Sequence, residues 1–124
     1  PAINEYIKLY NNKKIWSKFS GENLKKSRQF CNDALLQAAK LLSDETNPKP
    51  DYNRAIELYK IIIDEFADSN YGDFALYSIV SIYYNQNNWN KVIEYAKLME
   101  TNFSQSQYWL EVDLKAKKSR SLLK

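Results

Sequence analysis

A 37-residue internal repeat constrains this chain more than any other feature of its sequence. Shifting the sequence by 37 positions aligns residues 51–57 (DYNRAIE) with residues 88–94 (NWNKVIE). Further aligned identities are Lys60 with Lys97, Phe66 with Phe103, Ser69 with Ser106 and Tyr71 with Tyr108. A repeat of about 20 to 50 residues indicates an array of similar units that bury their apolar faces against one another.

A second, weaker match at an offset of 41 residues extends the array towards the N-terminus. It aligns the apolar side chains of 34–42 with those of 75–83. The four extra residues fall in 44–50, which contains Pro48 and Pro50. Since proline ends a helix and biases the residue before it away from helical geometry, we expect a loop at 44–50.

Apolar side chains follow helical spacing in each unit. Those in 75–83 share one helix face, and the same holds for 55–66 and 92–103. Because the chain has only two glycines and three prolines, it favours long helices joined by few turns. We predict an all-α fold with helices at about 2–19, 23–43, 52–66, 71–85, 89–102 and 107–122.

Polar and aromatic residues mark the predicted helix starts. Asp51 and Asn88 occupy N-cap positions before the second helix of each unit. Ser69 and Ser106 are candidate caps for the helices that follow them. Trp89 aligns with Tyr52 in the repeat, so we expect both aromatic side chains to staple a turn rather than to bind a ligand.

The charge distribution limits the possible partners. The net charge is +3, and residues 107–124 account for it with five basic and two acidic side chains. A short basic helix can attract acidic partners, but it lacks the spread of Lys and Arg of a nucleic-acid-binding domain. No apolar run approaches the roughly 18 residues of a membrane span. We therefore expect neither nucleic-acid binding nor membrane insertion.

The side chains that carry most enzyme chemistry are scarce. The sequence has no histidine, and its single cysteine, Cys31, has no such partner to activate it. We interpret Cys31 as a small helix-packing residue. The glycines are too far apart for a phosphate loop, and carboxylate pairs such as Glu111 with Asp113 fit a solvated helix face. We expect a non-catalytic chain without cofactor or metal.

These features together resemble the tetratricopeptide repeat, a helix–turn–helix unit of about 34 residues with small residues where helices cross. The resemblance covers about 30–124 and is closest over 51–108. Consensus core positions of the best unit are occupied by Leu76, Ile79, Val80, Tyr83, Val92, Ala96 and Met99. The chain departs from the family at Ala67 and Ser104, which replace a closing proline, and at Val80, which replaces a glycine.

The resemblance implies one domain over 1–124, a right-handed α-solenoid of about six helices. Its parts would be an N-terminal helix or cap (1–22), a first helical pair (23–66), a second pair (71–104) and a C-terminal helix (107–124). Residues 66–77 resemble a variant common in bacterial envelope proteins, of the outer-membrane assembly lipoprotein and periplasmic cell-division coordinator type. This implies the bacterial cell envelope or periplasm. A chain that begins Pro1-Ala2-Ile3 is expected to be a fragment of a longer protein.

The resemblance also implies which residues meet a ligand. In this family the first helix of each unit lines a concave face. The corresponding residues here are Leu36, Gln37 and Lys40, then Tyr77, Ser78, Ser81, Tyr84 and Asn85, then Leu114, Lys115 and Lys118. Of these, we select as protein-binding residues Gln37, Lys40, Tyr77, Ser81, Tyr84, Asn85, Lys115 and Lys118. Tyrosines with lysines suit an acidic or aromatic peptide, whereas ordinary solvated polar residues would give the same pattern.

The expected function is therefore a non-catalytic adaptor that binds a partner protein or peptide. One alternative is a structural spacer that associates with itself. Another is a nucleic-acid-associated helical repeat that uses the basic C-terminal helix, although a concentration of charge on one helix counts against it. Trp16 and Trp109 are left open, as packing residues or as contacts for a partner.

Overall fold

The described part of the chain is helical. The computed structural model describes residue 8, residues 22–65 and residues 71–124. Within these residues there are five α-helices and no strand. They are α1 (Glu22–Ser43), α2 (Tyr52–Glu65), α3 (Gly72–Asn85), α4 (Trp89–Phe103) and α5 (Trp109–Leu122).

The all-α prediction is confirmed, and five of the six predicted helices are found within two residues of their expected ends. Apart from residue 8, which is helical, the predicted helix at 2–19, with Trp16, lies outside the described residues, as does the candidate cap Ser69. The loop at 44–50 is also confirmed. Its backbone is closed by hydrogen bonds from Asn47 N to Asp44 O and from Asp51 N to Leu42 O.

The chain divides into two compact units at residues 69 and 70. In the first unit, α1 packs against α2. In the second unit, each of α3, α4 and α5 contacts the other two. Helix α3 therefore has one side against α4 and another against α5, and this arrangement brings the candidate site together.

Buried residues recur at the repeat spacing. Aligned positions 37 residues apart are buried in both copies: Ala55 and Val92, Tyr59 and Ala96, Ile62 and Met99, Ala75 and Val112, Ile79 and Ala116. Cys31 is buried as well, in keeping with its interpretation as a packing residue. At these five pairs of positions, the 37-residue register describes the core as well as the sequence.

The turn between α3 and α4 follows from its asparagines. Asn87 adopts the left-handed conformation (φ 60°), which asparagine tolerates better than most residues. Its N–H donates to Tyr84 O and the N–H of Asn88 donates to Tyr83 O, which is the Schellman pattern that ends helices. The Asn88 side chain then caps α4 by accepting from Lys91 N at 3.4 Å, as predicted.

The start of α5 differs from the prediction. The helix begins at Trp109, with Tyr108 as its N-cap residue and no side-chain cap. Ser106 instead donates its hydroxyl to Asp73 Oδ2 (2.8 Å), and its Oγ accepts from Tyr108 N (3.1 Å). The cap prediction for Ser106 is wrong because the helix begins two residues later than a cap at Ser106 requires; the hydroxyl instead joins this loop to the start of α3.

Ala55 provides a test of the core register. It is fully buried on α2, so Ala55→Asp would place a charge without a partner in the packed interface. We expect a loss of about 3 kcal/mol in unfolding free energy, measured by denaturant titration. Asn53→Asp is the control, because it adds the same charge at an exposed position two residues earlier. An unchanged midpoint for Ala55→Asp would show that the register is wrong.

Asn32 is an unusual residue in the core of the first unit. Its side chain is 1% exposed, yet neither Oδ1 nor Nδ2 has a hydrogen-bond partner among the residues that the structure describes. A buried amide without partners costs about 1–3 kcal/mol.

Replacing Asn32 with an apolar residue should therefore stabilise the chain. Asn32→Leu keeps the branching point of the side chain and removes both polar atoms. We expect the unfolding free energy to rise by about 1 kcal/mol, measured by thermal and denaturant unfolding. Asn53→Leu, at an exposed position of α2, controls for the general effect of the substitution. Destabilisation by Asn32→Leu alone would contradict this assignment.

Candidate functional site

The second unit brings together predicted ligand-facing residues from two helices. Tyr77 and Tyr84 are seven residues apart on α3 and so lie on the same face of the helix. Helix α5 packs beside them and contributes Glu111 and Lys115. We name this surface, formed by Tyr77, Ser81, Tyr84, Glu111 and Lys115, the α3–α5 face.

One end of the α3–α5 face is aromatic. The rings of Tyr77 and Tyr108 are stacked, with centroids 4.7 Å apart and planes 20° apart. The Phe74 ring meets Tyr108 edge-on at 5.8 Å. The Ser106 hydroxyl accepts a hydrogen bond from Tyr108 N and donates one to Asp73 at the start of α3. These two hydrogen bonds tie the backbone of Tyr108 to α3 and so help to position the ring on which Tyr77 stacks.

A polar chain runs across the middle of the face. The Glu111 carboxylate accepts from Lys115 Nζ at 3.1 Å and interacts with the Tyr77 hydroxyl. The hydrogen bond that the Tyr77 hydroxyl donates to Glu111, together with burial, raises the pKa of Tyr77 above its ordinary value. The same hydrogen bond, followed by that from Lys115, lowers the pKa of Glu111. A neutral phenol and an ionised carboxylate are thus the favoured pair.

The other end of the face is built around Tyr84. The ammonium of Lys115 lies 5.4 Å from the centre of the Tyr84 ring, a cation–π contact. Trp89, the first residue of α4, meets the Tyr84 ring edge-on at 5.4 Å. Trp89 therefore has the structural role expected for it, and Lys115 joins Tyr84 to Glu111.

The other predicted residues have different surroundings. Ser81 lies between the two tyrosines; its Oγ is buried, and its interaction with the Tyr77 hydroxyl lowers the pKa of Tyr77, against the larger effect of Glu111. Asn85 and Lys118 are exposed, at the end of α3 and on α5. Gln37 and Lys40 are exposed on α1 of the first unit.

Leu36 corrects the expectation. The family register made it ligand-facing, but its side chain is buried. It belongs to the packed side of α1, one turn before the buried Ala39, and is not available to a ligand. Ser78 is half-buried and Leu114 is exposed. Trp109 is half-buried at the start of α5.

Sequence reasoning missed three residues of the site. Phe74 was not singled out. Tyr108 was visible only as the repeat counterpart of Tyr71. Glu111 was interpreted as a solvated carboxylate, yet it interacts with Lys115 and Tyr77 although 52% of its side chain is exposed. Its position four residues before Lys115 was the available signal, because such pairs meet on one helix face.

No protein-family model, curated protein or solved structure matches this chain. Among the residues that the structure describes, no group of three or more His, Cys, Asp or Glu side chains is placed to hold a metal ion. No helix in the same ranges combines the length and apolarity that crossing a membrane requires. The role of the α3–α5 face is therefore inferred from the arrangement of its own side chains.

The Tyr77–Glu111 interaction has a measurable pH signature. Since the folded pKa of Tyr77 is raised, its neutral form stabilises the chain at pH values below about 10, and this contribution is lost as the pH rises through the folded pKa. In ¹³Cζ tyrosine NMR, Tyr77 should titrate at a higher pH than an unperturbed tyrosine.

Glu111→Gln should bring the Tyr77 titration back towards its ordinary value. Glu94→Gln on α4 is the matched control, because that carboxylate pairs with Lys91 and is not among the groups that shift Tyr77. A Tyr77 midpoint that is the same in the unmodified chain and in Glu111→Gln would contradict the interaction.

Proposed function

We propose that this chain is a non-catalytic protein-interaction domain that binds a segment of a partner protein on the α3–α5 face, together with Lys118. The proposal includes a tetratricopeptide-like stacking of the helical pairs. The shared burial of aligned positions such as Ala55 with Val92 and Ile62 with Met99 supports a repeated helical unit, which is what such a stacking requires.

The observation that carries the proposal is the alignment of Tyr77, Tyr84 and Lys115 on one surface. Two half-buried tyrosines offer apolar area with little loss of side-chain freedom, and each keeps a hydroxyl for hydrogen bonding. Their rings are already oriented by Tyr108, Trp89 and Lys115. Because the surface is ordered before a ligand arrives, binding would require less ordering of side chains.

The ion pairs of α5 favour a protein partner over nucleic acid. Lys115 pairs with Glu111 and Lys117 with Asp113, at 3.1 and 3.0 Å. A phosphate-binding surface needs cations that are free to neutralise phosphates, whereas these two are accompanied by carboxylates.

The proposal of a bacterial envelope location rests on the resemblance of residues 66–77.

Truncating the two tyrosines should weaken binding. The partner would be captured from the native cell and identified by mass spectrometry, and its affinity measured by calorimetry. For Tyr77→Ala combined with Tyr84→Ala, we expect a loss of about 2 kcal/mol, roughly thirtyfold in Kd. The reason is that buried interface aromatics dominate binding energy.

Tyr95→Ala is the matched control for this experiment. Tyr95 is a half-buried tyrosine on α4 that stacks on Tyr83, with centroids 5.7 Å apart, and it is not part of the α3–α5 face. Its truncation should lower the melting temperature without changing affinity. Equal affinity losses for the double variant and for Tyr95→Ala would contradict binding at this face.

A further inference from the structure

Helix α5 carries an exposed line of side chains that core packing does not explain. Leu110, Leu114, Lys118 and Leu122 follow one another at four-residue intervals, so they form one ridge along the helix. The three leucines are 70%, 58% and 50% exposed. We call these four residues the α5 ridge.

Comparison with the repeat-equivalent helix, α3, shows that the other exposed positions of α5 are polar. On α3, Leu76, Val80 and Tyr83 are apolar, and Tyr83 stacks on Tyr95 of α4. The positions 37 residues later are Asp113, Lys117 and Arg120. Asp113 and Lys117 form an ion pair, as expected for a helix face that meets water.

The ridge itself is apolar apart from Lys118, unlike these neighbouring positions of α5. Leu114 aligns with Tyr77, and Leu110 aligns with Asp73. A helix that only closed an array would be polar on all its free faces. The leucines therefore call for another explanation, and contact with a partner is the usual reason for adjacent exposed apolar side chains.

The cations of α5 indicate the charge of that partner. Lys115 and Lys117 are paired with carboxylates, but Lys118 has no ion-pair partner in the described part of the chain. It lies one turn beyond Leu114, in the middle of the ridge. A carboxylate placed there would gain a partner while apolar side chains cover the leucines.

We propose that the α5 ridge docks an amphipathic helix of a partner protein, with apolar side chains one turn apart and an Asp or Glu opposite Lys118. This inference rests on the proposed function and extends the α3–α5 face along α5. A ridge of side chains spaced four residues apart packs into the groove between the corresponding ridges of another helix. From Leu110 to Leu122 it spans about 18 Å, which is a little over three turns.

Two other occupants fit the ridge less well. A second copy of the ridge would bring lysines of the same sign together. An anionic membrane would meet a ridge that is one side chain wide, beside the Glu111 carboxylate, whereas membrane-surface helices present a broad apolar face.

The test uses the full 124-residue chain and a display library of random helical peptides as the probe. We expect the selected peptides to carry apolar residues three or four positions apart together with Asp or Glu. Leu110→Ser combined with Leu114→Ser should weaken the affinity of the chain for these peptides about tenfold or more. Leu98→Ser, at a leucine 38% exposed on α4, is the matched control and should leave affinity unchanged.

Charge exchange makes the test specific. Selection against Lys118→Glu should enrich Lys or Arg in place of the acidic residue. The inference is overturned if the selection yields no binding peptides, or if the selected peptides bind the leucine variant as tightly as the unmodified chain. It is also overturned if peptides selected against Lys118→Glu still carry Asp or Glu. It is also overturned if the ridge leucines are needed for binding to phosphatidylserine vesicles or for dimerisation in sedimentation. Loss of binding in the Tyr77 and Tyr84 variant, but not in the leucine variant, would leave the proposed function standing and remove only this inference.

Discussion

Close packing at small buried residues is the constraint on which the second unit depends. Ala75, Ala96 and Ala116 lie on α3, α4 and α5, and each is essentially fully buried. Small side chains at such points let helices approach closely, and larger neighbours such as Ile79 and Met99 fill the remaining space. A charged or bulky side chain at any of the three would separate the helices and disperse the residues of the α3–α5 face.

The α3–α5 face follows from this packing in a definite order. Once α5 lies beside α3, Glu111 and Lys115 come within reach of Tyr77 and Tyr84. The bond between Ser106 and Asp73 sets the loop that carries Tyr108. Every polar group in this chain of contacts lies at the edge of a packed interface, where it is ordered and still meets solvent.

The helices and many of the buried positions could be predicted from the sequence, because helix periodicity indicates which residues share a buried face. The resemblance to the tetratricopeptide repeat predicted that Tyr77, Tyr84 and Lys115 share one surface, and Lys115 does contact Tyr84. Contacts that depend on the rotation of α3 against α5 could not be predicted, since periodicity says nothing about it. The stack on Tyr108 and the interaction of Glu111 with Tyr77 are of this kind. Ser106 was mispredicted because α5 begins at Trp109, two residues later than a cap at Ser106 would require.

The central claim is that a partner segment binds where α3 and α5 meet. Its most direct test is NMR shift mapping of the isotope-labelled chain during titration with a peptide selected from the display library. The account predicts the largest changes in residues 77–84 and 110–118, with little change at the exposed Glu94 and Lys97 of α4. Largest changes on that exposed side of α4, with Tyr77 and Tyr84 unaffected, would contradict it.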